Sequence, residues 1–342
     1  MRTRNHASLV LLALVILAGP ALAQQTRFGD GLKEADAAAI KRDLQAGADP
    51  NERYGRRGRS ALERVGMSTM LTSQGRITTE EEESIIAAYD VLFEAGARLQ
   101  AWDRGILHAP VIAGAPLITK YLLERGADPN GQESDDGYTP MLLAVKYERP
   151  EIVPILLAGG AKPLTPAVEA QVRLVIAANK GDLIALRREL ARGAKVNERT
   201  PTGETALVEA IQGGKFKGGN LLMVRELLRL GANVNLPGRF IGLTAPLHVA
   251  VFTNEKRYDQ DSGAIIVAEL LKAGALVSST DSYRNQTPLH IAAQLDNAKA
   301  VAQLLKAGAK VMPRDEAGQT PLDLAKGAPV IQLLKAAGAA ER

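Results

Sequence analysis

One dipeptide keeps returning along this chain, and it limits the possible folds more than any other feature. Gly-Ala occurs at Gly47, Gly96, Gly126, Gly160, Gly193, Gly231, Gly274, Gly308 and Gly338. The intervals are 49, 30, 34, 33, 38, 43, 34 and 30 residues. Several lie close to 33, and the longer ones read as insertions into a common unit. Before Gly308, residues Ala298, Val301, Leu304 and Leu305 are spaced at three and four, the pattern of a helix with one apolar stripe. Glycine then supplies the left-handed residue that stops the helix. Further upstream, Thr287 suits an N-cap and Pro288 the first helical position. Residues 285–311 therefore read as a helix, a turn at Asp296-Asn297, a second helix and a glycine stop. Such a pair cannot bury both its faces alone, so it needs copies of itself as neighbours.

The copies are visible. The helix start reads TPLH at Thr287–His290, APLH at Ala245–His248, TPML at Thr139–Leu142, TPLD at Thr320–Asp323 and TALV at Thr205–Val208, with a degraded GILH at Gly105–His108. The repeat ending reads LQAGADPN at Leu44–Asn51, LLERGADPN at Leu122–Asn130, LLRLGANVN at Leu227–Asn235 and LLKAGALV at Leu270–Val277. With these motifs at this period the chain resembles the ankyrin-repeat family over most of its length. The resemblance implies an all-α solenoid of about nine stacked helix-turn-helix repeats with hairpin-like loops, spanning residues 24–342.

The departures are specific. The repeats Pro166–Asn197 and Gly58–Leu99 lack the helix-start motif. So does Phe28–Asn51, as befits a terminal cap, and Asp315–Ala339 has a shortened helix pair suited to the other end. Pro110, Pro116 and Pro154 are expected to shorten or kink their helices. Insertions between helices are expected at about Ser68–Glu82, Gly213–Asn220 and Thr253–Gly263.

No catalytic constellation stands out. His108, His248 and His290 share one motif position, and the resemblance implies that they hold loops and helices together. The Gly213–Gly219 run GGKFKGG lacks the order of a phosphate loop and reads as a flexible insertion. No carboxylate pair or Ser/His/Asp order rises above background, so no cofactor or metal is expected and the chain reads as a non-enzyme.

The first 23 residues read as a secretory signal peptide. Arg2 and Arg4 form a basic start, Ser8–Gly19 an apolar core, and Ala21-Leu22-Ala23 a cleavage site before Gln24. There is no cysteine, which rules out a disulfide or a cysteine-linked lipid. The expected location is the periplasm or outside the cell, with no membrane association after cleavage. The leader holds two of the 42 basic residues and none of the 38 acidic ones, leaving a net charge of +2. Nucleic acid is an unsuitable partner for so balanced a chain. The basic run Glu52–Ser60 and the acidic runs Glu80–Ser84 and Glu133–Gly137 read as solvated loops.

Aromatics make up only 4% of the chain, and several fall on the loop tips and on the first helix of each pair. These two elements form the extended binding surface of such arrays. The loop tips carry Tyr54, Arg56, Arg57, Trp102, Tyr138, Phe240, Tyr283 and Arg284, and the first helices carry Lys146, Tyr147, Phe252 and Gln294. Tyr, Trp and Arg are the residue types that anchor interfaces; filling gaps around irregular repeats is the competing role. The expectation is a monomeric scaffold that binds another protein without catalysis. Two narrower roles stay open, an antidote to a toxic enzyme and an accessory to a periplasmic antioxidant enzyme.

Overall fold

A computed structural model describes residues 28–54, 58–70, 77–132, 137–213, 220–240, 242–253 and 260–339. The chain divides into two units, with the boundary after Pro163. Among the described residues the first unit holds four helix pairs: α1 (Gly31–Glu34) with α2 (Ala37–Gln45), α3 (Ala61–Ser68) with α4 (Thr79–Glu94), α5 (His108–Ala113) with α6 (Pro116–Glu124), and α7 (Pro140–Lys146) with α8 (Val153–Ala158). The second holds five: α9 (Pro166–Lys180) with α10 (Leu183–Ala191), α11 (Ala206–Gln212) with α12 (Leu221–Arg229), α13 (Pro246–Thr253) with α14 (Gln260–Lys272), α15 (Pro288–Gln294) with α16 (Ala298–Lys306), and α17 (Pro321–Leu324) with α18 (Ala328–Ala336). Two short antiparallel hairpins lie in loops: β1 (Arg53–Tyr54) with β2 (Arg59–Ser60), and β3 (Gly238–Phe240) with β4 (Gly242–Thr244).

The motif residues do what their chemistry requires. Thr139, Thr205, Thr287 and Thr320 each accept, on the side-chain oxygen, the N–H three residues on, at 3.2–3.4 Å. This satisfies a donor that the first helical turn cannot pair internally. All nine closing glycines have φ between 82° and 99°, a region that side chains with a Cβ seldom enter. The alanine after each one donates back to the helix, as Ala309 does to the Leu304 carbonyl at 2.9 Å. That bond, made by the second residue past the helix cap, is the Schellman closure.

Asparagine couples one repeat to the next. Asn51, Asn130, Asn197 and Asn235 donate from Nδ2 to the carbonyls of Gly96, Gly160, Gly231 and Gly274 at 2.9–3.2 Å. Their Oδ1 atoms accept the N–H of Arg98, Lys162, Asn233 and Leu276. Each asparagine thus binds the helix stop one repeat ahead on both sides. In the second unit a single apolar cluster runs from Ala170 to Ala339. Leu304 is completely buried in it, while Leu305 is only partly covered.

Several expectations need correction. The repeats at 58–99 and 166–197 do have polar helix starts: Ser60 accepts from Glu63 N at 3.1 Å and Thr165 from Val168 N at 3.3 Å. Pro110, Pro116 and Pro154 fall in the first turns of α5, α6 and α8, where the missing N–H has no intrahelical partner to lose. They lie in the opening turns of their helices, not in helix interiors. The acidic run at Glu80–Ser84 lies in the first two turns of α4, not in a loop. Glu81 closes a capping box on Thr78. Glu82 is buried, and its Oε2 accepts the Ile118 N–H at the start of α6 at 2.9 Å. Burial raises the Glu82 pKa, opposed by the N–H groups of Ile118 and Leu117. Residues 133–136 and 214–219 lie outside the described residues, and with them most of Glu133–Gly137 and Gly213–Gly219.

Candidate functional site

The hairpin β3–β4 is held tightly against its own unit. Gly238, the first residue of β3, allows the approach: a Cβ there would lie 2.5 Å from Thr205 Oγ1 and 2.8 Å from Val208 Cβ. Arg239 N donates to Gly203 O at 3.1 Å, and Gln212 Nε2 to Arg239 O at 3.3 Å. Phe240 is thereby fixed beside α13, where its ring meets Phe252 edge-to-face with centroids 5.2 Å apart and planes at 72°. This is a favoured aromatic geometry. On the next loop, Asp281 Oδ1 accepts the N–H of Tyr283, Arg284 and Gln286 at 3.1, 2.8 and 3.3 Å. The turn presents Tyr283, 60% exposed, with the Arg284 guanidinium 5.3 Å from its ring centre.

These elements enclose a groove of about 340 Å³, lined by Phe240, Phe252, Tyr283, Arg284, Gln294 and the buried His248, with Thr244, Asp281, Gln286, Ile291 and Leu295 completing it. Five of those side chains were singled out in the sequence by position; the structure brings them together in one place. For His248 the resemblance implies only that it holds loops and helices together.

The three motif histidines are structural. Nε2 of His108 lies 3.1 Å from Gly131 O, that of His290 3.1 Å from Gln319 O, and that of His248 3.1 Å from both Ser279 O and Gln286 O. Each reaches one repeat forward. Burial lowers the pKa of His248 and of His290, against the pull of these carbonyls and of nearby Asp281 and Asp315. The two differ at Nδ1. In His290 it receives the Thr287 N–H at 3.1 Å and lies 2.8 Å from Thr287 Oγ1. In His248, where Ala245 replaces the threonine, Nδ1 is buried without a hydrogen-bond partner among the described residues.

In the first unit the expected site residues do not converge in the same way. Lys146 Nζ sits 4.4 Å from the Tyr138 ring centre and bonds its hydroxyl, so these two satisfy each other. Tyr147 closes α7 and is 44% exposed. Trp102 is 48% exposed, under the Arg53 guanidinium at 5.3 Å. Tyr54 lies in β1 with its side chain outside the described residues, as are Arg56 and Arg57. Among the described residues no group of three or more His, Asp or Glu could hold a metal ion, and no helix is long and apolar enough to cross a membrane.

Stacked helix pairs with a groove between loop tips and first helices are the build of a protein-interaction scaffold. Family models described as ankyrin repeats match residues 106–157, 202–239 and 260–340, together half of the chain. The chain belongs to the ankyrin-repeat family. It is similar to Rabankyrin-5 of Mus musculus, 30% identical over 189 residues, 52% of this chain and 14% of that protein. It is also similar to an L-asparaginase of Dirofilaria immitis, 32% identical over 124 residues, 35% of this chain and 21% of that enzyme. The chain thus spans under a quarter of the length of either relative. Among solved structures it resembles the human ASB11 ankyrin repeat domain, 24% identical with a TM-score of 0.42, covering 69% of this chain and 99% of that one.

Proposed function

We propose that this chain is an exported scaffold that holds a protein partner, without catalysis, in the groove of its second unit. The observation that carries this reading is the convergence of Phe240, Phe252, Tyr283 and Arg284 on one cavity. Aromatic residues and arginine in a partly desolvated pocket are what interface hot spots are made of. The three motif histidines are occupied in bonding the next loop, which leaves them structural work and no reaction. Export rests on the leader residues Arg2, Arg4 and Ala21–Ala23, and an intact mass beginning at Gln24 is the expected result for protein recovered from cells. The partner site is tested by placing a photoreactive benzoyl-phenylalanine at Gln294, on the groove rim, and in a second protein at Leu222, 69% exposed on α12. Irradiation in cells should give one discrete adduct from position 294 and none from 222. Adducts from 222 alone would place the partner on the second helices and refute the groove.

A further inference from the structure

We infer that the groove accepts a tryptophan or tyrosine side chain with an acidic residue beside it on the partner polypeptide. This rests on the reading of the groove as the partner site and gives that partner its chemistry. Three features argue for it. First, the walls are aromatic. Phe240 and Phe252 form an edge-to-face pair, and with Tyr283 they line an opening of about 340 Å³. That lies at the small end of ligand cavities, which run from roughly 300 to 1,000 Å³, and suits one large side chain.

Second, His248 lines the cavity, and its buried Nδ1 has no hydrogen-bond partner among the described residues. Two carbonyl oxygens at 3.1 Å fix the proton of neutral His248 on Nε2, which leaves Nδ1 a bare acceptor. In the sister repeat Thr287 supplies the donors to His290. Ala245 carries no hydroxyl, and its backbone N–H makes no hydrogen bond to Nδ1, so the motif leaves this acceptor unpartnered. An indole N–H or a phenol O–H supplies the missing donor on an otherwise apolar ring, which phenylalanine does not.

Third, the exposed Arg284 makes no ion pair among the described residues and rests on the Tyr283 ring. Of the acidic groups nearby, Asp281 has one carboxylate oxygen engaged by three backbone N–H groups. Glu316 is exposed, with its N–H on the Arg284 carbonyl. A planar guanidinium stacked this way still has donors for a carboxylate on the occupant.

The test is selection of a random peptide library displayed on phage, with the wild-type chain as bait and Phe252→Ser as counter-selection. Groove-dependent peptides should carry Trp or Tyr with Asp or Glu within two residues. Arg284→Gln should weaken such a peptide about tenfold and flatten its salt dependence. Ala245→Thr restores the family motif and fills Nδ1 internally. It should raise the melting temperature and weaken the same peptide by about tenfold, two opposite movements that a purely structural role does not produce. If groove-dependent peptides lack this pair of residues, or Ala245→Thr leaves their affinity unchanged, the inference fails while the groove stands as the partner site. If no groove-dependent peptide is enriched, both fail.

Discussion

His290→Ala is the substitution for which the structure gives the fullest account. The imidazole is completely buried and makes three contacts. It accepts the Thr287 N–H, lies within bonding distance of Thr287 Oγ1, and donates to Gln319 O across the repeat boundary. Alanine removes all three. Gln319 O keeps the Asp315 N–H at 2.9 Å, and Thr287 Oγ1 keeps the residue-290 N–H. The Thr287 N–H, in a buried residue, is left without its partner. An orphaned buried donor costs about 1–3 kcal/mol and a lost ordinary hydrogen bond about 0.5–1.5 kcal/mol. With the cavity included, the expected loss is about 2–4 kcal/mol. For a unit of this size that is a fall of roughly 5–15 °C in melting temperature. His248→Ala should cost less, about 1–2 kcal/mol, because its Nδ1 has no partner to abandon. Far-UV circular dichroism during urea unfolding reports the whole chain. Fluorescence of Trp102, the sole tryptophan, reports the first unit. His290→Ala should move the first signal more than the second, since damage in repeat stacks is shared only with neighbours. An unchanged midpoint, or a larger loss from His248→Ala, would refute the reasoning. So would a stable His290→Ala protein that had lost a measurable turnover.

Two further outcomes follow from the same contacts. Leu304→Ala, at a completely buried position in the second unit, should cost about 2–5 kcal/mol, read as a lowered urea midpoint; Leu305→Ala, only partly covered, should cost less. Stability should also fall on acidification below about pH 6.5, the ordinary histidine value. Burial holds His248 and His290 neutral in the folded chain, so the unfolded chain binds more protons in that range and gains on folding are lost as pH drops. Melting curves between pH 7.5 and 5.5 check this, and a melting temperature that rises with acid would contradict it.

The repeat skeleton was legible because its signals are local. A glycine stop, a threonine cap and a proline at the first helical position each act within a few residues of themselves. What the sequence hid depends on distant partners or on tolerance within a motif. Thr165-Pro166 starts a helix although Ala167 stands where the motif has leucine, and Ser60 does so with no proline at all. Glu82 looks like part of a solvated acidic run, yet its partner is the Ile118 N–H 36 residues away. Phe240, Phe252, Tyr283, Arg284 and Gln294 could be picked out one by one from their register. Their convergence depends on how closely Gly238 lets the β3–β4 hairpin approach Thr205 and Val208. The open Nδ1 of His248 had a visible signal, the alanine of APLH where its sister repeat has threonine, but its meaning needs the hydrogen bonds of both repeats side by side.

The central claim is that the groove binds and the histidines only hold the fold. The double variant Phe252→Ala/Tyr283→Ala tests it most directly, because both side chains are exposed, at 36% and 60%, and exposed positions seldom carry stability. Its far-UV spectrum and melting temperature should match those of the wild type, while its Kd for the polypeptide cross-linked through position 294 rises at least about tenfold, or about 1.4 kcal/mol. An unchanged Kd in a fully folded double variant would contradict the account.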